Sequence, residues 1–234
     1  MKVLAFNCCM KTEHADTAKI LNPFLDGMKE AGAEVELIYT STLNINPCKA
    51  CTSDPTYISD GNCDCNDDMK ELYPKFKASN IWVFATPSIN NHVPAHFKNL
   101  LDRMEPLFNI DFERTNGDSE YLINSNGKIA LVSTSSAWNL DNFNLIIEHF
   151  ESLSQLFNKE FLPPLLRPHS GILNTFRKFN IPAIDIFRAA KDAGRELVST
   201  GRIPEELLKT ISRDLAPKDS FIEEINGLVL KQLG

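Results

Sequence analysis

The chain has no apolar run approaching the ~20 residues that cross a bilayer, so no membrane partner is expected. Its opening, MKVLAFNCCM, has the apolar character of a buried strand, with no signal-peptide layout behind it. A cytoplasmic location is therefore expected, where cysteines serve as thiols or metal ligands more often than as disulfides. Positive charge is also scarce. The 24 Lys and Arg stand against 31 Asp and Glu, a net charge of −7, which offers no basic patch to release counterions from a nucleic acid. Internal repeats, low-complexity segments, a nucleophile elbow, a Gly-rich nucleotide fingerprint and an acid–base pair are all missing. These absences point away from nucleic-acid binding, membrane insertion and simple hydrolytic catalysis.

What is present is an ordinary globular composition. Hydrophobic residues make up 43% and charged residues 24% of 234, enough for one large α/β domain or one domain with an extension. Val3-Leu4-Ala5-Phe6 reads as a first buried strand. Asp16 or Thr17 is positioned to cap a helix through Ile20, Leu21, Phe24, Leu25 and Met28. Pro23 is read as lying close enough to its first turn to be tolerated. Gly32 closes that helix, and Val35, Leu37 and Tyr39 give a second strand. The opening 39 residues thus form a βαβ unit.

Further along, Asp67 or Asp68 can cap a helix through Met69, Leu72 and Phe76, and Ile81–Ala85 is a third strand. A helix is predicted over about 95–107, a polar stretch over 109–127, a fourth strand at Ile129–Val132 and a helix over 141–157. A fifth strand at 160–166 would be held to an edge by Pro163 and Pro164. Helices follow at 183–200, 204–214 and 218–231. The expected division is a sheet domain over 1–165 and a helical extension over 166–234.

The segment IWVFATPSINNHVPAHFKNLLDR, 81–103, carries the most information. A buried strand breaks at Thr86-Pro87 into the polar loop Ser88-Ile89-Asn90-Asn91, and a helical pattern resumes after Pro94. In parallel sheets, ligands sit in such loops at the carboxyl ends of the strands. The backbone and amide groups here suit a flat, hydrogen-bonding ligand, although an ordinary strand-to-helix connection reads the same way.

Taken together, MKVLAF, DTAKIL, LNINPCKAC, GNCDCNDDM, FATPSINNHVPAHFKNLLDR and KIALVSTSSAW resemble the flavodoxin-like NAD(P)H-dependent FMN reductases, and especially the iron–sulfur flavoproteins. The likeness covers about 1–140, and the tail KDAGRELVSTGRIPEELLKTIS resembles C-terminal extensions of some members. It implies a doubly wound, five-stranded parallel sheet of the flavodoxin-like α/β class. It further implies FMN at the strand ends, electrons from NAD(P)H or a ferredoxin-like donor passing to a small-molecule or protein acceptor, and a homodimer or homotetramer.

In that family the loop after the first strand cradles the FMN phosphate, using backbone N–H groups and a helix N-terminus. Here the loop reads Asn7-Cys8-Cys9-Met10-Lys11-Thr12-Glu13-His14-Ala15-Asp16-Thr17-Ala18. Thr17 matches the hydroxyl at the helix start, and Lys11 stands where an Arg is usual. The loop departs by lacking glycine, by carrying Cys8 and Cys9 in place of serines, and by placing Glu13 and Asp16 beside a would-be dianion. If Asp16 caps the helix, it competes with phosphate for the same N–H groups. Cys8 and Cys9 are buried small residues or, with a lowered pKa, thiolates that would compete with a bound phosphate. The resemblance places the flavin ring against Pro87, Ser88, Ile89, Asn90 and Asn91 on one side. Ser133, Thr134, Ser135, Ser136 and Trp138 close the other, with Trp138 either stacking on the ring or packing on the protein.

Cys48, Cys51, Cys63 and Cys65 form C-x2-C-x11-C-x-C. Four thiolates can hold a [4Fe–4S] cluster or a tetrahedral zinc, and free thiols or a disulfide remain open. The iron–sulfur flavoproteins use a compact C-x2-C-x2-C with a later fourth cysteine; here Asp54 stands at the third position. Arg167-Pro168-His169 suggests an anion site, a pocket wall or, by default, a surface turn. His92, His96 and His149 lack metal-ligand spacing. The leading expectation is an FMN-dependent oxidoreductase. The alternative is a non-enzymatic flavodoxin-like binding protein, holding metal or thiols, whose flavin site has decayed.

Overall fold

The computed structural model describes residues 1–10, 15–50, 63, 65–107, 127–175, 183–220, 222–223 and 226–227. Strands β1 (Lys2–Asn7), β2 (Glu34–Tyr39), β3 (Ile81–Pro87), β4 (Lys128–Thr134), β5 (Glu160–Phe161) and β6 (Leu165–Arg167) form one parallel sheet. Its order is β2-β1-β3-β4-β5, with β6 also on β4. The order reverses at β1 and β3, as in a doubly wound flavodoxin-like sheet, and ligands of such sheets bind near that reversal.

Strand alternation sorts the core into two layers. Val3, Ala5, Ile81, Val83, Ala85, Ala130 and Val132 face one side. Leu4, Phe6, Trp82, Phe84, Ile129 and Leu131 face the other. The small residues admit helix α1 (Asp16–Glu30) close to the sheet. The large ones meet α2 (Met69–Ala78), α3 (Ala95–Asp102) and α4 (Asn144–Leu156), where Phe6 stacks between Phe76 and Phe84 at 5.1 and 5.6 Å. Both faces are covered, which is why the strands read as continuous apolar runs.

Helix α1 ends in a Schellman turn: Ala33 N–H donates to Met28 O and Gly32 N–H to Lys29 O, with Gly32 at φ +90°. Its start differs from expectation. Ala15 occupies the N-cap and among the described residues no side chain caps the helix, while Asp16 lies in the first turn. Pro23 is the eighth residue of fifteen, well past the first turn, so no amide there can reach Lys19 O.

The predicted fifth strand is two strands. Pro163 and Pro164 carry no N–H and interrupt it, so β5 pairs with the start of β4 and β6 with its end. The expected boundary at 165/166 falls inside β6. Helix α3 stops at Asp102, short of the predicted 107, and a 3-10 turn follows at Glu105–Leu107. After a short helix, α5 (Ile172–Thr175), come α6 (Ile184–Thr200) and α7 (Glu205–Ser212). Pro204 stands at the N-cap of α7, one position before the helix proper. Helix α6 lies directly on α1 through two glycines. A Cβ on Gly27 would come within 1.8 Å of Lys191 O, and one on Gly194 within 1.9 Å of Phe24 O. The predicted polar stretch at 109–127 lies, except for Gly127, outside the described residues, as does part of the last predicted helix. Among the described residues no helix is long and apolar enough to cross a membrane.

Candidate flavin site at the carboxyl edge

Register brings the candidate residues together. Asn7 pairs with Ala85, Pro87 with Thr134, and Thr134 with Arg167. The carboxyl ends of β1, β3, β4 and β6 therefore make one rim. Asn7 is wholly buried there; its Oδ1 accepts the Cys9 N–H at 3.1 Å, and its Nδ2 has no partner. A buried amide left without an acceptor is costly unless a ligand supplies one. Beside it, the start of α1 has no side-chain cap, so no side chain of the helix's own N-cap takes the first-turn N–H groups, which attract anions. The Asp16 carboxylate is instead turned to Lys19 Nζ at 2.9 Å and the Ser170 hydroxyl at 3.4 Å. The competition expected from an Asp16 cap is thereby removed.

Thr17 is buried and its hydroxyl shares a 2.6 Å hydrogen bond with that of Thr134. Ala18 is buried behind it. Burial first, and then the neighbouring Cys9, push the Cys8 thiol up; the Thr40 and Ala85 hydrogen bonds pull only partly back. Burial likewise raises Cys9, with Asp16 adding to it against a hydrogen bond from Thr17. Both therefore remain neutral thiols at neutral pH, and a thiolate nucleophile at this loop is not supported. Lys11, Thr12, Glu13 and His14 lie outside the described residues.

The loop after β3 is a tight hairpin, which its Asn-Asn pair could have signalled. Ile89 and His92 exchange backbone hydrogen bonds at 2.9 and 3.0 Å, and Asn90 and Asn91 turn at φ +50° and +60°. Positive φ at both central residues is the type I′ pattern, in which asparagine is favoured. Ser88 N–H donates to Thr134 O at 2.7 Å, and the Ser88 hydroxyl to Asn142 O at 3.3 Å. The exposed Asn90-Asn91 tip thus projects from a loop fixed to β4. His96 Nε2 contacts Cys8 O at 3.0 Å, and the His92 and His149 rings meet edge to face at 5.2 Å.

On the other side, Ser135 N–H donates to Arg167 O at 3.1 Å, and the Ser135 hydroxyl accepts the Ala137 N–H at 3.1 Å. Ser136 is exposed and Trp138 half-buried. The Trp138 indole stacks on His169, with centroids 4.2 Å apart and planes 15° apart. Arg167-Pro168-His169 is no surface turn, since all three residues are buried. Arg167 donates from Nε to Pro168 O at 2.9 Å, from Nη1 to Ile211 O at 2.8 Å and Arg213 O at 2.7 Å, and from Nη2 to His169 Nε2. Four of its five N–H donors are committed to protein groups, which argues against an anion site. Sequence spacing carried no sign of this, because the acceptors lie 44 and 46 residues away.

The cysteine loop has a different character. Its base is clamped: Asn44 N–H donates to Asp68 Oδ2 at 2.6 Å, Asn46 N–H to Asp67 Oδ2 at 3.0 Å. Fully buried Arg103 grips Asp67 with two bonds of 2.7 and 3.1 Å and Asn46 O with one of 3.0 Å. Cys63 and Cys65 are buried next to this cation. Burial alone would push the Cys63 thiol up; the Cys65 backbone N–H and the Arg103 charge outweigh it, so Cys63 shifts down. Cys48 is exposed, and Cys51 lies outside the described residues. Among the described residues, no three His, Cys, Asp or Glu side chains are gathered as a metal ion requires. The described cysteines do not by themselves build a metal centre. The rim, in contrast, suits FMN: a buried unpaired amide, an uncapped helix start, a polar hairpin tip and an aromatic ring share one edge.

This sheet and rim define a flavodoxin-like protein. The family model for NADPH-dependent FMN reductase matches residues 1–139, and the chain belongs to that family. Among curated relatives, an iron–sulfur flavoprotein of Methanosarcina thermophila is 34% identical over 87 residues, 36% of this chain and 43% of the relative. One from Archaeoglobus fulgidus is 32% identical over 94 residues, 40% of this chain and 41% of the relative. The chain thus spans less than half the length of these relatives. Among solved structures, an FMN-dependent NADH-azoreductase from Bacillus anthracis, in complex with FMN, superposes with a TM-score of 0.61 at 15% identity, over 85% of this chain and 100% of the other. An NAD(P)H:quinone oxidoreductase from Methanothermobacter marburgensis gives 0.56 at 16%, over 84% and 98%. At these identities the structural likeness concerns the fold.

Proposed function

We propose that the protein is an FMN-dependent oxidoreductase that takes electrons from NAD(P)H or a ferredoxin-like donor and passes them to a small-molecule or protein acceptor. The observation that carries this reading is the pairing of the unpartnered, buried Asn7 Nδ2 with the uncapped start of α1 on the same rim. The first-turn N–H groups, Asn7 Nδ2 and Lys11 hold the phosphate. The hairpin tip at Asn90-Asn91 offers the remaining backbone and amide donors to one edge of the ring, since Ser88 and Ile89 N–H groups are already engaged. Ser136 and Trp138 close the other edge. FMN held there would supply hydride acceptance and one- or two-electron release, and the chain's own residues would bind, orient and shield it. Family membership and the FMN-bound azoreductase of the same fold support the assignment.

An iron–sulfur centre on Cys48, Cys51, Cys63 and Cys65 is a second proposal. The names of the relatives favour it, as does the buried Arg103 cation beside Cys63 and Cys65, which suits an anionic sulfur centre. Iron and acid-labile sulfide analysis of anaerobically purified protein tests it separately.

The flavin reading is tested by reconstituting the protein with FMN and following NAD(P)H oxidation with a quinone acceptor. One FMN per chain and FMN-dependent turnover are expected. Protein that retains no FMN after desalting would favour the non-enzymatic binding module.

A further inference from the structure

Helix α3 reaches the loop after β1 through His96, its second residue, whose Nε2 lies 3.0 Å from the Cys8 carbonyl oxygen. A carbonyl only accepts, so Nε2 carries a proton and donates it. The other side of the same peptide unit is directed at Asn7. Among the described residues no peptide bond is cis, so the Cys8 C=O and the Cys9 N–H point to opposite sides of one plane. That N–H donates to Asn7 Oδ1 at 3.1 Å. With Oδ1 fixed as the acceptor, the orientation of the Asn7 amide is settled. Its Nδ2 is the end left without a partner among the described residues.

The surroundings hold this relay in place. Cys8 N–H donates to Ala85 O at 2.7 Å, and the Thr40 hydroxyl to Asn7 O at 3.3 Å. Asn7, Cys8 and Cys9 are all buried, so water does not replace these bonds. His96 in turn stands on an anchored helix. Farther along α3, Asn99 donates to Ile45 O at 3.4 Å, and Arg103 bonds both Asn46 O and Asp67.

We propose that His96 is a positioning residue for the phosphate seat. Its Nε2–H sets the plane of the Cys8–Cys9 peptide, and that peptide turns the Asn7 amide so that Nδ2 faces the phosphate. The inference rests on the reading that the FMN phosphate lies at the start of α1. An amide free to flip presents its oxygen as readily as its nitrogen, and an oxygen repels a dianion. Fixing the donor before the ligand arrives removes that ordering cost from binding.

The test uses the full-length protein and the variants His96→Phe, His96→Gln, Asn7→Ala and Asn7→Ala/His96→Phe. Three quantities are read: the dissociation constant for FMN, that for riboflavin, which lacks the phosphate, and the phosphorus NMR resonance of bound FMN. His96→Phe keeps a ring on the helix but removes the donor. It should weaken FMN about tenfold, leave riboflavin affinity unchanged and shift the phosphorus resonance. His96→Gln carries an amide N–H for the same carbonyl and should restore most of the FMN affinity. Adding His96→Phe to Asn7→Ala should change no quantity further, because the histidine acts through that amide; the His96 variants carry the comparison if Asn7→Ala does not fold. Suppose wild type prefers FMN to riboflavin. A His96→Phe protein that loses both affinities alike, or binds FMN as wild type does, would then overturn the positioning role and leave the flavin reading standing. Wild-type protein that binds riboflavin as tightly as FMN would remove the phosphate from this seat and overturn both.

Discussion

The hydroxyls of Thr17 and Thr134 meet at 2.6 Å across 117 positions of sequence. This bond ties the first turn of α1, where the phosphate is proposed to sit, to the end of β4, where the ring loop begins. Both atoms are buried, so removing either leaves the other unsatisfied. Thr17→Val and Thr134→Val should each destabilise by about 1–2 kcal/mol. The double variant should lose less than their sum. Urea unfolding of the four proteins checks this, and strict additivity would mean that the bond contributes nothing.

The contact between α1 and α6 depends on two glycines whose missing Cβ atoms let backbones touch. Gly194→Ala would bring a methyl within 1.9 Å of Phe24 O, so the two helix backbones must shift apart. A loss of about 3 kcal/mol is expected, read as a lower urea midpoint. A midpoint within error of wild type would mean that the helices separate freely.

His169 predicts an acid-sensitive fold. Burial first, then the Arg167 charge, lower its pKa to about 4 from an ordinary 6.5. Between those values the unfolded chain binds a proton that the native state refuses, so stability is complete above about pH 6.5 and falls as pH drops toward 4. The full loss is about 3 kcal/mol. His169→Gln should flatten the profile in that window. An equally steep profile in the variant would assign the effect elsewhere.

Asp67 behaves with the opposite sign of shift. Burial pushes its carboxyl up, but Arg103 and the Asn46 and Met69 N–H groups prevail and hold it at about 2, against 3.8. Its contribution is present above about pH 4 and disappears as pH falls through 2. Asp67→Asn strands the Arg103 charge in the interior and should destabilise by about 3–5 kcal/mol at neutral pH. The same variant should loosen the clamp at the base of the cysteine loop, measurable as faster labelling of Cys63 by a thiol reagent.

Much of this architecture was legible because its causes are local. Val3–Phe6, Ile81–Ala85 and Ile129–Val132 read as strands buried on both faces, and Gly32 marked a helix end that the Schellman turn explains. Pro163-Pro164 signalled an edge, though not that the strand would divide into two. The rim proposed to hold the flavin was legible where it follows strand ends: Asn7, Thr17, the Ser88–Asn91 loop and Ser133–Trp138 share one edge of the sheet. What sequence could not show depends on partners far along the chain. Arg167 reads as a surface residue until Ile211 and Arg213 are placed over it, and Arg103 falls inside the predicted 95–107 helix with no sign of a buried partner until Asp67 meets it. The capping role given to Asp16 failed because Ser170, 154 residues away, and Lys19 take its carboxylate.

The phosphate seat can be tested by making stability and binding move in opposite directions. Ala15→Asp places a carboxylate at the uncapped N-terminus of α1. Asp is a good N-cap, so the apo protein should become more stable by about 0.5–1 kcal/mol. The same side chain would occupy the N–H groups and repel the phosphate, so calorimetric titration should show FMN binding at least about tenfold more weakly. A variant that is stabilised yet binds FMN as tightly as wild type would contradict a phosphate seat at the start of α1.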